Sequence, residues 1–168
     1  MKTTEQGGER GYDGGKKITG RKRHIAVDTL GLLLAVVVTS AAVDDAAAAP
    51  QVLVQLNRRD FPRLKIVWAD GKYHNYALYD WKRRHPSLPW KLEIVTRPRG
   101  AKGFVLLPKR WVAERTLAWL GRSRRLSKDY ERRTDSSEAM IRMSSIHLLL
   151  RRLAPTGRKI PFNYANAA

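Results

Sequence analysis

Short apolar runs separated by polar segments containing Gly and Pro make up most of this 168-residue chain. Two runs, residues 22–28 and 32–40, flank a short Gly-containing connection and predict an antiparallel hairpin. Two further strands are predicted at residues 64–69 and 90–97. Helical spacing predicts four helices, at residues 44–57, 73–85, 109–126 and 136–153. The order β-β-α-β-α-β-α-α predicts an α/β fold, a mixed sheet with helices packed on it.

The two ends of the chain differ in composition from the rest. Residues 1–20 place six glycines among charged residues, which predicts a flexible lead. Residues 154–168 are predicted to be a disordered tail. Residues 21–153 are predicted to be one domain, long enough to bury a core.

Charge is the strongest compositional signal. The chain has 33 Lys and Arg against 15 Asp and Glu, a net charge of +18. Such a field favours a polyanionic partner, above all nucleic acid, over a merely solubilising surface. The absence of Cys excludes disulfides and Cys-based zinc sites and is compatible with a reducing cytoplasm, the expected location. The longest apolar stretch, residues 30–43, is too short to span a bilayer, so no membrane partner is expected.

Two acidic residues stand out in this basic chain. Asp70 ends a predicted strand, where functional residues of α/β sheets collect, and Glu114 lies on the basic side of a predicted helix. Two carboxylates suit Mg²⁺-dependent chemistry on a phosphate. Two other interpretations stay open: Asp70 as a turn residue, and Glu114 as the helix partner of Arg110. Such metal sites take three or more acids, and the obvious third, Asp28, also fits an ordinary strand-to-turn position.

Three segments together resemble bacterial insertion-sequence transposases of the DDE type, in the insertion sequence four/five superfamily. They are residues 14–31 (GGKKITGRKRHIAVDTLG), 67–73 (VWADGKY) and 110–125 (RWVAERTLAWLGRSRR). The resemblance covers about residues 1–153. It implies an RNase H-like fold, Mg²⁺ (or Mn²⁺) as cofactor, DNA as partner, and cleavage and strand transfer at transposon ends.

The resemblance also implies roles for individual residues. Asp70 and Glu114 match the second and third acids of the family's triad and are the expected catalytic residues and metal ligands. Arg110 matches the Arg that precedes the glutamate in the family's Tyr-Arg-Glu-Lys signature. Arg122 is the basic residue nearest the Lys place, one position off the usual spacing, and Leu107 stands where the Tyr is expected.

One departure from the family pattern concerns the first acid. In the family it lies on the opening strand, just before a segment like residues 2–8, so we expect that strand and that acid to be missing. The domain is then truncated, binds metal weakly or not at all, and is inactive alone. Two origins stay open, a truncated remnant and the downstream frame of an element whose upstream-frame product supplies the missing part. The alternative function is a non-enzymatic basic DNA-binding fragment that interferes with intact transposase.

DNA contacts are expected to be mainly to the phosphate backbone, with steep salt dependence and little sequence preference. The residues expected to make them are Lys16, Lys17, Arg21, Lys22, Arg23, Arg97, Arg99, Lys102, Lys109, Arg115, Arg124 and Arg125.

Overall fold

The computed structural model describes residues 1–4, 8–98, 100, 102–103 and 105–154. These residues form five strands and four helices. The strands are β1 (Gly11–Asp13), β2 (Ile18–Val27), β3 (Leu33–Ser40), β4 (Ile66–Asp70) and β5 (Lys91–Val95). The helices are α1 (Asp45–Leu53), α2 (Tyr76–Arg83), α3 (Pro108–Gly121) and α4 (Thr134–Leu153). Arg99, for which DNA contact was predicted, lies outside the described residues. So do residues 155–168, which belong to the tail that was predicted to be disordered.

The predicted hairpin is confirmed. β2 and β3 pair antiparallel from Arg21 opposite Ser40 to Val27 opposite Leu33, with a register shift at its turn end. Asp28 closes the turn, because its Oδ1 accepts hydrogen bonds from the backbone N–H of Leu30 at 2.9 Å and of Leu32 at 2.7 Å. Asp28 therefore occupies the ordinary strand-to-turn position that was the alternative to a role as third acid.

The strands form two sheets rather than the single mixed sheet that was predicted. The first is the antiparallel sheet β1-β2-β3, and the second is the parallel pair β4-β5. No strand among the described residues joins β2 to β4. The N-terminal lead also differs from expectation, because β1 and the start of β2 lie within residues 1–20.

The core lies on both faces of β3, since successive strand residues point to opposite faces. Ala35 and Val37 pack in a cluster with the buried side of α1 and with Leu78 and Trp90. Val36 and Val38 pack in a second cluster whose other members are Leu120, Leu126 and Ile141. The hairpin is thus held between α1 on one face and α3 with α4 on the other.

Helix ends follow local signals. The side chain of Asp44 caps α1 by accepting from Ala46 N and Ala47 N, and the helix continues through Pro50 to Leu53. α3 ends at Gly121, short of the predicted residue 126, because a separate 3₁₀ turn at Arg124–Leu126 carries Leu126 into the core. Among the described residues, no helix has the length and apolarity needed to cross a bilayer.

Candidate active site

Asp70 is the last residue of β4, and its two carboxylate oxygens have different partners. Oδ1 accepts a 2.9 Å hydrogen bond from Lys72 N and so caps the 3₁₀ turn Gly71–Tyr73. Oδ2 lies 3.9 Å from Nε of Arg110 on α3. The turn-residue interpretation of Asp70 is therefore right for one oxygen, while the other faces a second element.

Glu114 lies one helical turn after Arg110 on α3. Arg110 Nε donates to Glu114 Oε1 at 3.1 Å. The same guanidinium nitrogen thus has both carboxylates as neighbours, although β4 and α3 are separated by almost forty residues of chain. Arg110 and Glu114 thus form the predicted helix pair. Asp70 lies on the same guanidinium, so two acids surround one cation.

Contacts with the β2–β3 turn fix the position of α3. Buried Thr116 donates from Oγ1 to Gly31 O at 2.8 Å, and Arg115 Nη2 donates to Leu30 O at 3.2 Å. α3 packs on β2 and on β4. It therefore lies across the strands of both sheets and carries Glu114 to the end of β4.

Aromatic side chains flank the acidic pair. Lys109 Nζ lies 4.3 Å from the ring centroid of Trp68, which donates from Nε1 to Glu93 Oε2 at 2.9 Å. Burial raises the pKa of Tyr73 to about 12, with the negative charges of Asp45 and Asp70 adding to the effect. Sequence reasoning did not single out Trp68, although period-two alternation places it on the same face of β4 as Asp70.

The donor chemistry suits a hard divalent cation. Carboxylate oxygens are preferred ligands of Mg²⁺, and here two of them surround one positive charge. Within the described part of the chain, no three His, Cys, Asp or Glu residues come together as a metal site. The described residues thus bring two carboxylates, those of Asp70 and Glu114, to one guanidinium.

Comparison with known proteins identifies the family. The model of the family described as Transposase DDE domain matches residues 1–149. This chain belongs to the DDE transposase domain family. It is 33% identical over 135 residues to a Burkholderia cepacia protein described as "Putative transposase for insertion sequence element IS402". That match covers 74% of this chain and 60% of the relative, so the matched part spans well under two thirds of the relative's length. No solved structure matches the chain.

Arg122 of this transposase domain lies apart from the acidic pair. It follows the last residue of α3 and is exposed. It comes eight positions after Glu114, which corresponds to about 12 Å along a helix axis. The structure brings together Asp70, Arg110 and Glu114 but does not bring Arg122 to them.

Arg21 is not at the surface of the transposase domain, contrary to the position expected of a DNA contact. It is 0% exposed, and its guanidinium forms an ion pair with Asp129 Oδ2 at 3.2 Å. It also donates to the backbone oxygens of Glu9 at 2.7 Å, Glu131 at 2.9 Å and Arg132 at 2.7 Å. We correct the predicted DNA surface accordingly, because a guanidinium enclosed by these partners cannot reach a phosphate.

Three other residues that were predicted to contact DNA have partners within the domain. Lys22 lies near Asp13 and Asp45, Arg23 donates to Leu126 O at 2.8 Å, and Arg115 stacks against two Trp rings. Burial lowers the pKa of Arg23. The exposed members of the predicted set are Lys16, Lys17, Arg97, Lys102, Lys109, Arg124 and Arg125.

Proposed function

We propose that this chain is part of the catalytic domain of a DDE transposase, and that Asp70 and Glu114 act in DNA cleavage and strand transfer. The observation that carries the proposal is the meeting of these two acids, from β4 and α3, around Arg110. A divalent ion bound there would neutralise phosphate charge and activate the attacking water or hydroxyl. Asp70 and Glu114 would hold it, and Arg110 would neutralise charge on the bound DNA.

We propose further that the fold is RNase H-like and that an additional strand completes it between β2 and β4. The first support is the edge of β2 that faces away from β3. Arg21 N donates to Met1 O at 2.9 Å, and the Met1 amino group donates to Arg21 O at 2.7 Å. This reciprocal pair is the antiparallel pattern. Residues preceding Met1 would therefore run along β2 past Arg23 and Ile25.

The backbone groups of Arg23 and Ile25 point to the same edge as those of Arg21, because the direction alternates along a strand. Among the described residues, neither has a backbone partner on that edge. The outer edge of β3 contrasts with it. Val38 N donates to Glu138 Oε1 at 3.0 Å, and Arg142 Nη2 donates to Val36 O at 3.4 Å. One edge is thus protected by side chains of α4, and the other is left for a strand.

β4 has a matching edge. Lys91 N of β5 donates to Lys65 O at 2.8 Å, so the backbone groups of Ile66, Trp68 and Asp70 point away from β5. α3 packs on both β2 and β4. A strand under α3 would satisfy both edges and join the two sheets, and a carboxylate on it beside Asp70 would supply the third acid.

The proposal predicts different behaviour for two versions of the protein. The 168-residue chain is expected to bind DNA without cutting it. A version extended upstream by the coding segment for the added strand, in frame or by frameshift fusion, is expected to nick DNA that carries the transposon ends in the presence of Mg²⁺. Asp70→Asn and Glu114→Gln should abolish nicking and leave DNA binding measured without metal intact, whereas Asp60→Asn, in an exposed turn, should change neither.

Two outcomes would count against it. Robust Mg²⁺-dependent nicking by the 168-residue chain, lost in Asp70→Asn, would show that no added strand is needed. Binding without nicking by the extended protein would favour the alternative, a non-enzymatic fragment that competes with intact transposase. The exposed cations support DNA binding in either case.

DNA binding itself is expected to depend mainly on phosphate contacts by the exposed Lys and Arg residues. Binding constants measured across a salt series should then fall steeply. Replacing Lys16, Lys109 and Arg124 by Gln should reduce the salt slope by about 1 per contact, similarly for unrelated DNA sequences. Binding that is insensitive to salt and specific for one short sequence would contradict the prediction that phosphate contacts dominate.

A further inference from the structure

Arg110 is the cation that the two proposed metal ligands share. Its Nε lies 3.1 Å from Glu114 Oε1 and 3.9 Å from Asp70 Oδ2, and its side chain is half exposed. We propose that Arg110 is an internal counterion that competes with the divalent ion for these carboxylates and leaves them when a DNA phosphate binds its guanidinium. This inference rests on the proposed function, because it concerns the same two acids.

Competition follows from charge and space. A divalent ion bound to these oxygens at about 2 Å would lie within about 5 Å of a guanidinium that contacts the same atoms. Two positive charges at that separation repel each other even in water. The carboxylates therefore cannot hold both cations at full strength, and removing the charge of Arg110 should strengthen metal binding.

Release by DNA follows from the preferences of the guanidinium group. Arginine binds phosphate oxygens through parallel hydrogen bonds, and the half-exposed side chain of Arg110 is accessible to a backbone phosphate. A phosphate that takes Arg110 frees both carboxylates for the metal. Because binding linkage is reciprocal, metal must then strengthen DNA binding by the same factor as DNA strengthens metal binding.

Lys109 provides a matched control. It precedes Arg110 on α3 and carries the same charge, but its Nζ lies over the ring of Trp68, 4.3 Å from the ring centroid. Lys109→Gln and Arg110→Gln therefore remove one positive charge each from neighbouring positions. A general effect of net charge would appear in both variants, and competition for the carboxylates would appear in Arg110→Gln alone.

The test is Mn²⁺ binding to the purified 168-residue protein, measured by electron paramagnetic resonance of free Mn²⁺. At low ionic strength, Arg110→Gln should bind Mn²⁺ about fifteenfold more tightly than the unmodified protein, the factor that one unit charge about 5 Å from a divalent ion gives in water. Lys109→Gln should change the affinity several-fold less than Arg110→Gln, since its ammonium lies over the Trp68 ring and not against the carboxylates. A short DNA duplex should tighten Mn²⁺ binding by the unmodified protein and have much less effect on Arg110→Gln.

The same titration on Asp70→Asn separates this inference from the function on which it rests. If Asp70→Asn weakens Mn²⁺ binding while Arg110→Gln binds no more tightly than the unmodified protein, the counterion role is overturned and the metal site stands. If Asp70→Asn does not change Mn²⁺ affinity, either in the unmodified protein or combined with Arg110→Gln, the metal site fails and the inference fails with it. Thermal unfolding of each variant verifies that it is folded.

Discussion

Replacing Arg21 should destabilise the protein severely, although the residue lies in a basic segment that resembles a DNA contact. Arg21→Met keeps most of the side-chain volume and removes the guanidinium. Asp129, 3% exposed, then loses its ion-pair partner at 3.2 Å, and the carbonyls of Glu9, Glu131 and Arg132 lose their donors. Breaking a buried pair from one side costs about 3–5 kcal/mol.

The lower end of that range is the better expectation, because Asp129 keeps two donors. Its Oδ1 still accepts from Ser137 Oγ at 2.6 Å and from Glu131 N at 3.1 Å. We therefore expect Arg21→Met to lower the free energy of unfolding by about 3 kcal/mol. Urea denaturation followed by circular dichroism measures this change from the transition midpoint and slope.

Three further variants keep the test decisive. Asp129→Asn removes the charge and keeps the shape, so its cost should be about 1.5–3 kcal/mol even if Arg21→Met fails to fold. The double variant should lose less than the sum of the single losses, because the two residues share one interaction. Arg124→Met, at an exposed position, should stay within about 0.5 kcal/mol. A loss below about 1 kcal/mol for Arg21→Met would refute the reasoning.

Three other substitutions test the packing of α3 and the environment of His24. Thr116→Val should cost about 1–3 kcal/mol in urea denaturation, because it leaves the Gly31 carbonyl without its 2.8 Å donor. Gly31→Ala should cost about 2 kcal/mol or more, since φ is +81° and the new Cβ would lie 2.9 Å from Trp119; a neutral result would contradict that crowding. Burial is the main cause that lowers the pKa of His24 below 6.5, and nearby Asp45 opposes it. The unfolded chain then binds the proton more readily, so the contribution of His24 to stability is complete above pH 6.5 and is lost as pH falls toward its folded pKa. His24→Gln should flatten that part of the pH profile, and an unchanged profile would show that His24 is not responsible.

Local patterns explain why the hairpin and the helices could be predicted from the sequence. The turn at Asp28 needs only residues within the turn itself, and the cap of α1 needs only Asp44 and the next three residues. The burial of Arg21 depends instead on Asp129, 108 residues away in the chain. Alternation along β2 sends Arg21 toward that segment, and no local pattern indicates what covers that face of the strand.

The two structural interpretations of the acidic residues are both confirmed, and they occur side by side. Glu114 does form the helix pair with Arg110, and Asp70 does cap a turn. What sequence spacing could not give is the position of α3, which depends on the contacts of Thr116 and Arg115 with the hairpin turn. Those contacts carry the helix pair to Asp70, and so a local interaction becomes part of a site between two elements.

One proposed strand would account for four separate observations. The edge of β2 beyond Met1 leaves Arg23 and Ile25 without backbone partners among the described residues, and β4 turns Asp70 toward an edge of the same kind. The sheets are divided between these two strands, and among the described residues two carboxylates, not three, lie near Arg110 at the end of β4. A strand that pairs with both edges would unite the sheets and bring an acid to Asp70. The same strand would supply backbone hydrogen bonds to both edges and a carboxylate to the site. Restoring it should therefore raise both the free energy of unfolding and the nicking activity. A gain in one without the other would show that the strand does not serve both the fold and the site.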